Sequence, residues 1–190
     1  SAESLCGEAQ DLIRIDVTTA PQAGAIASSQ VVCSGLNAAI LTLTGHNGTV
    51  VRWESSTDNW ATVNPIANTT TQQGYSGLTQ TTSYRAIVGG GACPPAESAA
   101  ATVSVVPSVS ADAGPDLTVC GTAFNLVGNT VAQAATSWIQ VSGPVNLSFA
   151  TNGPLLTAVN VSVPGVYVFR YRVSNGVCPD ATDQVEVVVG

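Results

Sequence analysis

The stretch Val166-Tyr-Val-Phe-Arg-Tyr-Arg-Val173 alternates between two kinds of side chain along its length. Successive side chains of an extended strand point to opposite sides, so Tyr167, Phe169, Tyr171 and Val173 share one face. The arginines lie on the other face. A period of two with one aromatic and aliphatic face predicts a β-strand that buries this face in a core.

Further runs with the same alternation occur along the chain. They cover residues 40–44, 49–54, 84–88, 102–106 and 185–189. Threonine and valine are frequent in them, as is typical of pleated, half-buried surfaces. Segments rich in Gly, Asn and Pro, such as 45–48 and 164–165, separate the runs and predict turns. No segment has the period of an amphipathic helix, so we predict an all-β protein.

The five cysteines reveal an internal repeat. Cys93 follows Cys6 by 87 positions and precedes Cys178 by 85, and Cys120 follows Cys33 by 87. A fixed period between residues of one type indicates tandem units of about 85 residues.

The tryptophans follow the same period. Trp53 and Trp138 are 85 positions apart, and each precedes the later cysteine of its unit by 40 positions. Units of this length with many short strands predict seven-stranded immunoglobulin-like β-sandwiches joined end to end. We expect Trp53, Trp138, Tyr84 and Tyr171 to be core residues, since their neighbours alternate as ordinary strand residues do.

The repeat divides the chain into four segments. They are 1–24, the final strand of a preceding repeat with its connection; 25–106, a sandwich; 107–114, a linker; and 115–190, a second sandwich. The first segment is identified by its match to the stretch that begins at Cys178. Proline in both connections, at Pro21 and Pro107, blocks further strand pairing and stiffens the joint.

The cysteines also predict disulfides. We favour pairs within each repeat, Cys33 with Cys93 and Cys120 with Cys178, which leaves Cys6 for a partner in the repeat upstream. A bond between neighbouring repeats stays open as an alternative, because the two cysteines of one repeat can fall at opposite ends of a sandwich. Structural disulfides persist in oxidising compartments, so we expect a secreted protein.

Composition argues against an enzyme and against a nucleic-acid or membrane partner. Five basic and twelve acidic residues give a net charge of −7, which offers no cationic surface to phosphate or anionic lipid. No apolar run approaches the length of a membrane span. His46, the single histidine, lies in a predicted turn without a nucleophile motif or metal-ligand spacing. We expect no catalytic residue, no metal and no cofactor.

Calcium is the alternative to that last expectation. Asp112 and Asp116 flank an Ala-Gly-Pro segment at the junction, where carboxylate oxygens could hold Ca²⁺. The first connection carries no matching acidic pair beside Gly24, so we favour a solvated linker.

Several motifs resemble repeats of giant cell-surface adhesins of the Bacteroidota. Val32-Cys-Ser-Gly35 and Trp53-Glu-Ser-Ser-Thr-Asp-Asn-Trp60 resemble their Ig-like repeats, and Ser174-Asn-Gly-Val-Cys-Pro179 resembles their PKD-like repeats. The resemblance implies an Ig-like first sandwich, a PKD-like second one, and a stalk or adhesive fibre on the cell surface. SprB-type gliding adhesins, exported by the type IX secretion system, are one example. The resemblance carries over no catalytic residue.

Two functions follow as hypotheses. The favoured one is a non-enzymatic structural or adhesive segment of a long extracellular protein or filament, whose partners are neighbouring repeats. The alternative is a carbohydrate-binding accessory module of a secreted polysaccharide-degrading enzyme, which would contact surface glycans through exposed aromatic rings. Aromatic residues make up only 5% of the chain, and Trp60 is the one credible exposed candidate.

Overall fold

Every regular element that the structure describes is a β-strand. The computed structural model describes residues 11, 13–15, 17, 19–27, 29–145, 147–149 and 156–190. The N-terminal strands are β1 (Ala25–Ile26), β2 (Gln30–Cys33), β3 (Ala38–Thr44), β4 (Thr49–Ser56), β5 (Asn64–Ile66), β6 (Gln72–Ser76), β7 (Thr82–Gly90), β8 (Cys93–Glu97) and β9 (Ala101–Val106). The C-terminal strands are β10 (Leu117–Val119), β11 (Ala123–Leu126), β12 (Ala135–Ser142), β13 (Leu147–Phe149), β14 (Thr157–Val161), β15 (Gly165–Ser174) and β16 (Ala181–Val189). The all-β prediction is confirmed.

Strands β1–β9 form the N-terminal module, in which two sheets enclose one core. One sheet has the order β1-β3-β6, and the other has the order β2-β9-β7-β4-β5, with β8 also paired to β7. Both sheets contribute side chains to the same apolar cluster, which contains Leu41 and Leu43 from β3, Trp53 from β4 and Val88 from β7. Burying apolar faces of two sheets against each other is the main stabilising contribution in such a sandwich.

Strands β10–β16 form the C-terminal module on the same plan. Its sheets have the orders β11-β14-β13 and β10-β16-β15-β12. The stretch that alternates most regularly lies at the centre of this arrangement: Tyr167, Phe169, Tyr171 and Val173 of β15 are fully buried. The period of two therefore identified the core face of this strand.

Each module carries a parallel pair of strands at one edge. In the N-terminal module β2 runs parallel to the last strand, β9, and Cys33 lies opposite Val106. In the C-terminal module β10 runs parallel to the last strand, β16, and Val119 lies opposite Val189. Cys33 and Cys120 therefore occupy corresponding places, beside the point where the last strand of each module ends.

The segment 1–24 contains no strand among its described residues. Cys6 lies outside the described residues. Ile13, Ile15 and Val17 are exposed and belong to no strand. Gln22 forms an isolated bridge with Asn47, with backbone N–O distances of 3.1 and 2.9 Å.

Candidate functional site at the module junction

A disulfide joins the two modules. It links Cys33, the last residue of β2, to Cys178, which lies in the loop between β15 and β16. The two Cα atoms are 4.9 Å apart, although the residues are separated by 145 positions in the sequence. Both cysteines are buried.

The predicted pair Cys33–Cys93 is wrong, and strand geometry gives the reason. Cys33 lies opposite Val106, at the end of β9, whereas Cys93 pairs with Gly90, at the far end of β7. Thr82 of β7 lies opposite Val103, so at about 3.3 Å per strand residue roughly 36 Å of sheet separates the two cysteines. A disulfide needs Cα atoms within about 7 Å of each other.

The predicted pair Cys120–Cys178 is wrong for the same reason. Cys120 follows β10 and so lies beside the end of β16, while Cys178 precedes the start of that strand. The full length of a nine-residue strand lies between them. Cys120 is exposed and forms no disulfide within the described part of the chain. The alternative that the sequence left open, a bond between neighbouring repeats, is the one that forms.

The loop that carries Cys178 is organised by one side chain, that of Asn175. Its Oδ1 atom accepts hydrogen bonds from the backbone N–H groups of Val177 (3.2 Å) and Cys178 (2.9 Å). Its Nδ2 atom donates to the carbonyl oxygen of Pro107, the first residue after β9, at 3.1 Å. Asn175 thus fixes the loop and ties it to the start of the linker. Sequence analysis missed this role, although Asn-Gly in the loop could have indicated a side-chain turn.

An ion pair closes the same loop. Arg172 Nε donates to Asp180 Oδ2 at 2.8 Å, and the two side chains also form a salt bridge. A hydrogen bond from Ser174 and the bonds from Arg172 lower the pKa of Asp180 below its ordinary value. The carboxylate therefore stays charged, and available to Arg172, over the physiological pH range.

Asn37 holds the other cysteine in place. Its Nδ2 atom donates to the carbonyl oxygens of Cys33 and Leu78, each at 2.8 Å, and its Oδ1 atom accepts from Leu78 N–H at 2.9 Å. This amide connects the turn after β2 to the segment before β7. Each half of the disulfide is thus positioned by an asparagine side chain.

The linker is tied to the C-terminal module. Asn129 Oδ1 accepts from Asp112 N–H at 2.9 Å, and Asn129 Nδ2 donates to the Ser110 carbonyl at 3.1 Å. Asp183 Oδ2 accepts from Ala113 N–H at 2.8 Å, and Ala113 is buried in the core of the module. The segment predicted as a solvated linker is therefore packed against this sandwich at its C-terminal end.

The two aspartates proposed as the calcium alternative bind backbone amides. Asp112 Oδ1 accepts from Gly114 N–H at 2.9 Å, and Asp116 Oδ1 accepts from Glu186 N–H at 2.8 Å. No group of three or more His, Cys, Asp or Glu side chains with metal-binding geometry occurs among the residues the structure describes. The aspartates act as turn and strand caps at the junction.

The aromatic residues predicted as core lie inside the sandwiches. Trp53 is fully buried, and its Nε1 atom donates to the Thr70 carbonyl at 2.9 Å. Trp138 is buried against the ring of Tyr171, with a centroid distance of 4.8 Å. Tyr84 is buried as well. None of these rings is available as a platform for a ligand.

Trp60, the candidate glycan platform, is half-buried. The guanidinium carbon of Arg85 lies over its ring, 4.3 Å from the ring centroid. Arg85 is held there by Glu54, with Nε–Oε2 2.8 Å, and by Glu97, with Nη1–Oε2 2.7 Å. One ring face is thus occupied by a cation–π contact, which sequence reasoning had no signal to find.

Glu54 is the buried centre of this cluster. Burial alone would raise its pKa, but the hydrogen bonds and positive charges of Arg85 and Arg52 outweigh it, and the pKa lies below the ordinary value. The Arg52 Nη2–Oε1 distance is 2.7 Å. The cluster is a structural ion network, and it does not place a free acid or base in a cleft.

Comparisons with known proteins agree with this architecture. The model of a family of domains of unknown function, DUF8696, matches residues 22–107. The Ig1 and Ig2 domains of DIP-gamma align at a TM-score of 0.53 and 15% identity, over 90% of this chain and 98% of that one. Domains D1 and D2 of Rst align at a TM-score of 0.52 and 11% identity, over 90% of this chain and 100% of that one. Sidekick-1 immunoglobulin domains 1–5 align at a TM-score of 0.53 and 13% identity, over 90% of this chain and 39% of that one. No curated protein matches the chain.

The chain has a tandem immunoglobulin-like fold. At these identities the likeness shows the fold alone. The disulfide between Cys33 and Cys178 is a bond of the kind that persists in oxidising compartments. No helix among the described residues is long and apolar enough to cross a membrane.

Proposed function

We propose that this chain is a non-enzymatic structural segment of a long extracellular protein or filament, in which two sandwiches act as one covalently locked spacer. The sandwiches would span 25–106 and 115–190, with 107–114 between them. The observation that carries the proposal is the disulfide between Cys33 and Cys178, because it crosses the junction instead of closing either module.

The position of this bond determines how the chain would respond to tension. Force applied to the two ends enters ahead of Cys33 and leaves after Cys178. The disulfide carries it across, so the 145 positions between the cysteines are shielded from extension. At 3.3–3.6 Å per residue, this stretch would be about 500 Å long if it were fully extended, and the disulfide prevents that extension. Such a segment keeps its length under forces that would unravel an unlinked pair of sandwiches.

The junction contacts support a stiff spacer. The loop amide of Asn175 holds the start of the linker at Pro107, and Asn129 and Asp183 hold the rest of it. Few rotatable residues are left between the modules. A stiff, inextensible unit suits a stalk that displays an adhesive part away from its anchor.

The setting we propose is a cell-surface stalk or adhesin with neighbouring repeats of the same kind as its partners. The resemblance to Bacteroidota surface repeats supports this setting, with export by type IX secretion and gliding as one use. The half-buried state of Trp60 counts against the carbohydrate-binding alternative, because Arg85 already covers one ring face.

Single-molecule stretching between the two termini tests the proposal. We expect the oxidised chain to extend through residues outside the disulfide loop only, and the Cys33→Ser/Cys178→Ser variant to extend by about 500 Å more. The reduced wild-type chain is the matched control and should behave as the double variant does. Equal extension of the oxidised and reduced chains would show that the bond does not carry tension, and the spacer function would then be wrong.

A further inference from the structure

We infer that Cys120 forms the next bond of a disulfide ladder, pairing with the loop cysteine of a sandwich that follows this one in the parent protein. The inference rests on the proposed function, since it requires a longer tandem array. The partner is a module of the same kind as the C-terminal module, with a cysteine in the place of Cys178.

The first argument is the equivalence of Cys120 and Cys33. Cys33 is the last residue of β2 and Cys120 directly follows β10, and each of these short strands runs parallel to the last strand of its module. Cys33 lies opposite Val106, and Cys120 comes directly after Val119, which lies opposite Val189 and accepts a hydrogen bond from Gly190 N–H at 3.1 Å. Each cysteine therefore marks the place where the chain leaves its module.

The second argument is what Cys33 does at that place. The chain leaves the N-terminal module at Val106, the end of β9, and continues through the linker into the C-terminal module. That module then places Cys178 against Cys33, the cysteine that lies beside Val106. The structure thus gives a rule: the strand cysteine of one module bonds the loop cysteine of the next. Applied to the C-terminal module, the rule assigns Cys120 a partner in a following module.

The exposure of the two cysteines fits this rule. Cys33 is 5% exposed because the next module covers it, whereas Cys120 is exposed. An exposed thiol in an oxidising compartment is either reactive or paired with a partner outside the segment. The structural place of Cys120 selects pairing.

Bond formation is an ordinary thiol–disulfide exchange. Each thiol loses its proton, and two electrons pass to the disulfide of an oxidoreductase in the export compartment, which is reduced to a dithiol. The S–S bond between the two modules is the product. No metal or cofactor takes part.

A ladder would change the mechanics of the whole array. Each disulfide loop would overlap the next, because Cys120 lies between Cys33 and Cys178 in the sequence. Tension would pass along the backbone only between the loop cysteine of one module and the strand cysteine of the next module, because the disulfides carry it elsewhere. Cys93 and Cys120 are such a pair, and they lie 27 positions apart. Two repeats could then extend by about 95 Å, instead of the roughly 600 Å that two unfolded repeats would span.

The experiment is a disulfide map of the full chain extended after Gly190 by a second copy of residues 107–190, made in an oxidising compartment. In the copy, the counterpart of Cys120 is replaced by serine and the counterpart of Val177 by isoleucine, so that Cys120 is unique and the two loop peptides differ in mass. Non-reducing peptide mapping with alkylation should find the bond Cys33–Cys178 and a bond from Cys120 to the copy's loop cysteine. In the Cys120→Ser form of the same extended chain, the copy's loop thiol should become alkylated.

The outcomes separate the inference from the proposed function. If Cys120 is alkylated in the extended chain while Cys33–Cys178 is intact, the ladder is wrong and the spacer function stands. Disulfide-linked dimers through Cys120 also overturn the ladder. If the Cys33–Cys178 bond is absent from a chain whose circular dichroism shows a folded β-protein, both the ladder and the spacer function are wrong.

Discussion

At the scale of single residues, the most informative group is Glu54, a carboxylate with 4% of its side chain exposed that contacts two arginines. Its pKa is lowered because the arginines outweigh the effect of burial. A carboxyl with a depressed folded-state pKa stabilises the protein above its unfolded pKa of about 4.3. That contribution is lost as the pH falls through the folded-state value.

We therefore predict that Glu54→Gln lowers the free energy of unfolding of the N-terminal module by about 2–4 kcal/mol at neutral pH. The difference from the wild type should shrink as the pH falls from about 5 to below the folded-state pKa. Thermal melts across this range measure it. Glu97→Gln, at a carboxylate with 58% of its side chain exposed, is the control and should cost less than about 1 kcal/mol. A pH-independent difference would contradict the assignment.

The contact between Trp60 and Arg85 leads to a second prediction at this scale. Trp60→Ala should destabilise the N-terminal module by about 1 kcal/mol, because it removes a cation–π contact together with some buried ring surface. On a glycan array, wild type and variant should give the same background signal. Selective glycan binding that disappears in the variant would favour the carbohydrate-binding alternative.

Among the strands and loops, the sequence predicted the β-strands and their buried faces correctly, but it predicted the wrong disulfide partners. The alternation in β15 identified its buried face, and the 85-residue period identified Trp53 and Trp138 as equivalent residues. Period and alternation describe what repeats along the chain. They do not tell which end of a sandwich a loop reaches, and this is why Cys33 was paired with Cys93. Parallel pairing of β2 with β9, the feature that decides the matter, is a long-range contact without a local signal.

The loop between β15 and β16 gives the prediction for this scale. Asn175→Ala removes two hydrogen bonds inside the loop and one to Pro107, and should cost about 1–2 kcal/mol. It should also slow formation of the junction disulfide during oxidative refolding, because Cys178 is no longer held in position. Quenched-flow alkylation with peptide mapping follows this rate. Asn125→Ala, at an exposed site on β11, is the matched control, and equal rates in both variants would contradict the role of Asn175.

In the chain as a whole, the disulfide and the linker contacts together limit how the two modules can be oriented relative to each other. The bond restrains the two modules at Cys33 and Cys178, while the contacts of Asn129 and Asp183 hold the linker at a second place. Two separated restraints remove hinge motion that either one alone would allow. Modules joined only by short linkers are otherwise expected to move relative to each other.

We predict that cutting the disulfide releases this motion without unfolding either sandwich. In small-angle X-ray scattering, Cys33→Ser/Cys178→Ser should show a broader distance distribution and a larger radius of gyration than the wild type, while circular dichroism stays that of a β-protein. Adding Asn129→Ala should broaden the distribution further, because the linker then loses its side-chain bonds to the C-terminal module. Each module has its own core, so the module cores should survive both changes. Identical scattering curves for the oxidised wild type and the double variant would mean that the junction is stiff without its covalent bond, and that the disulfide matters only under tension.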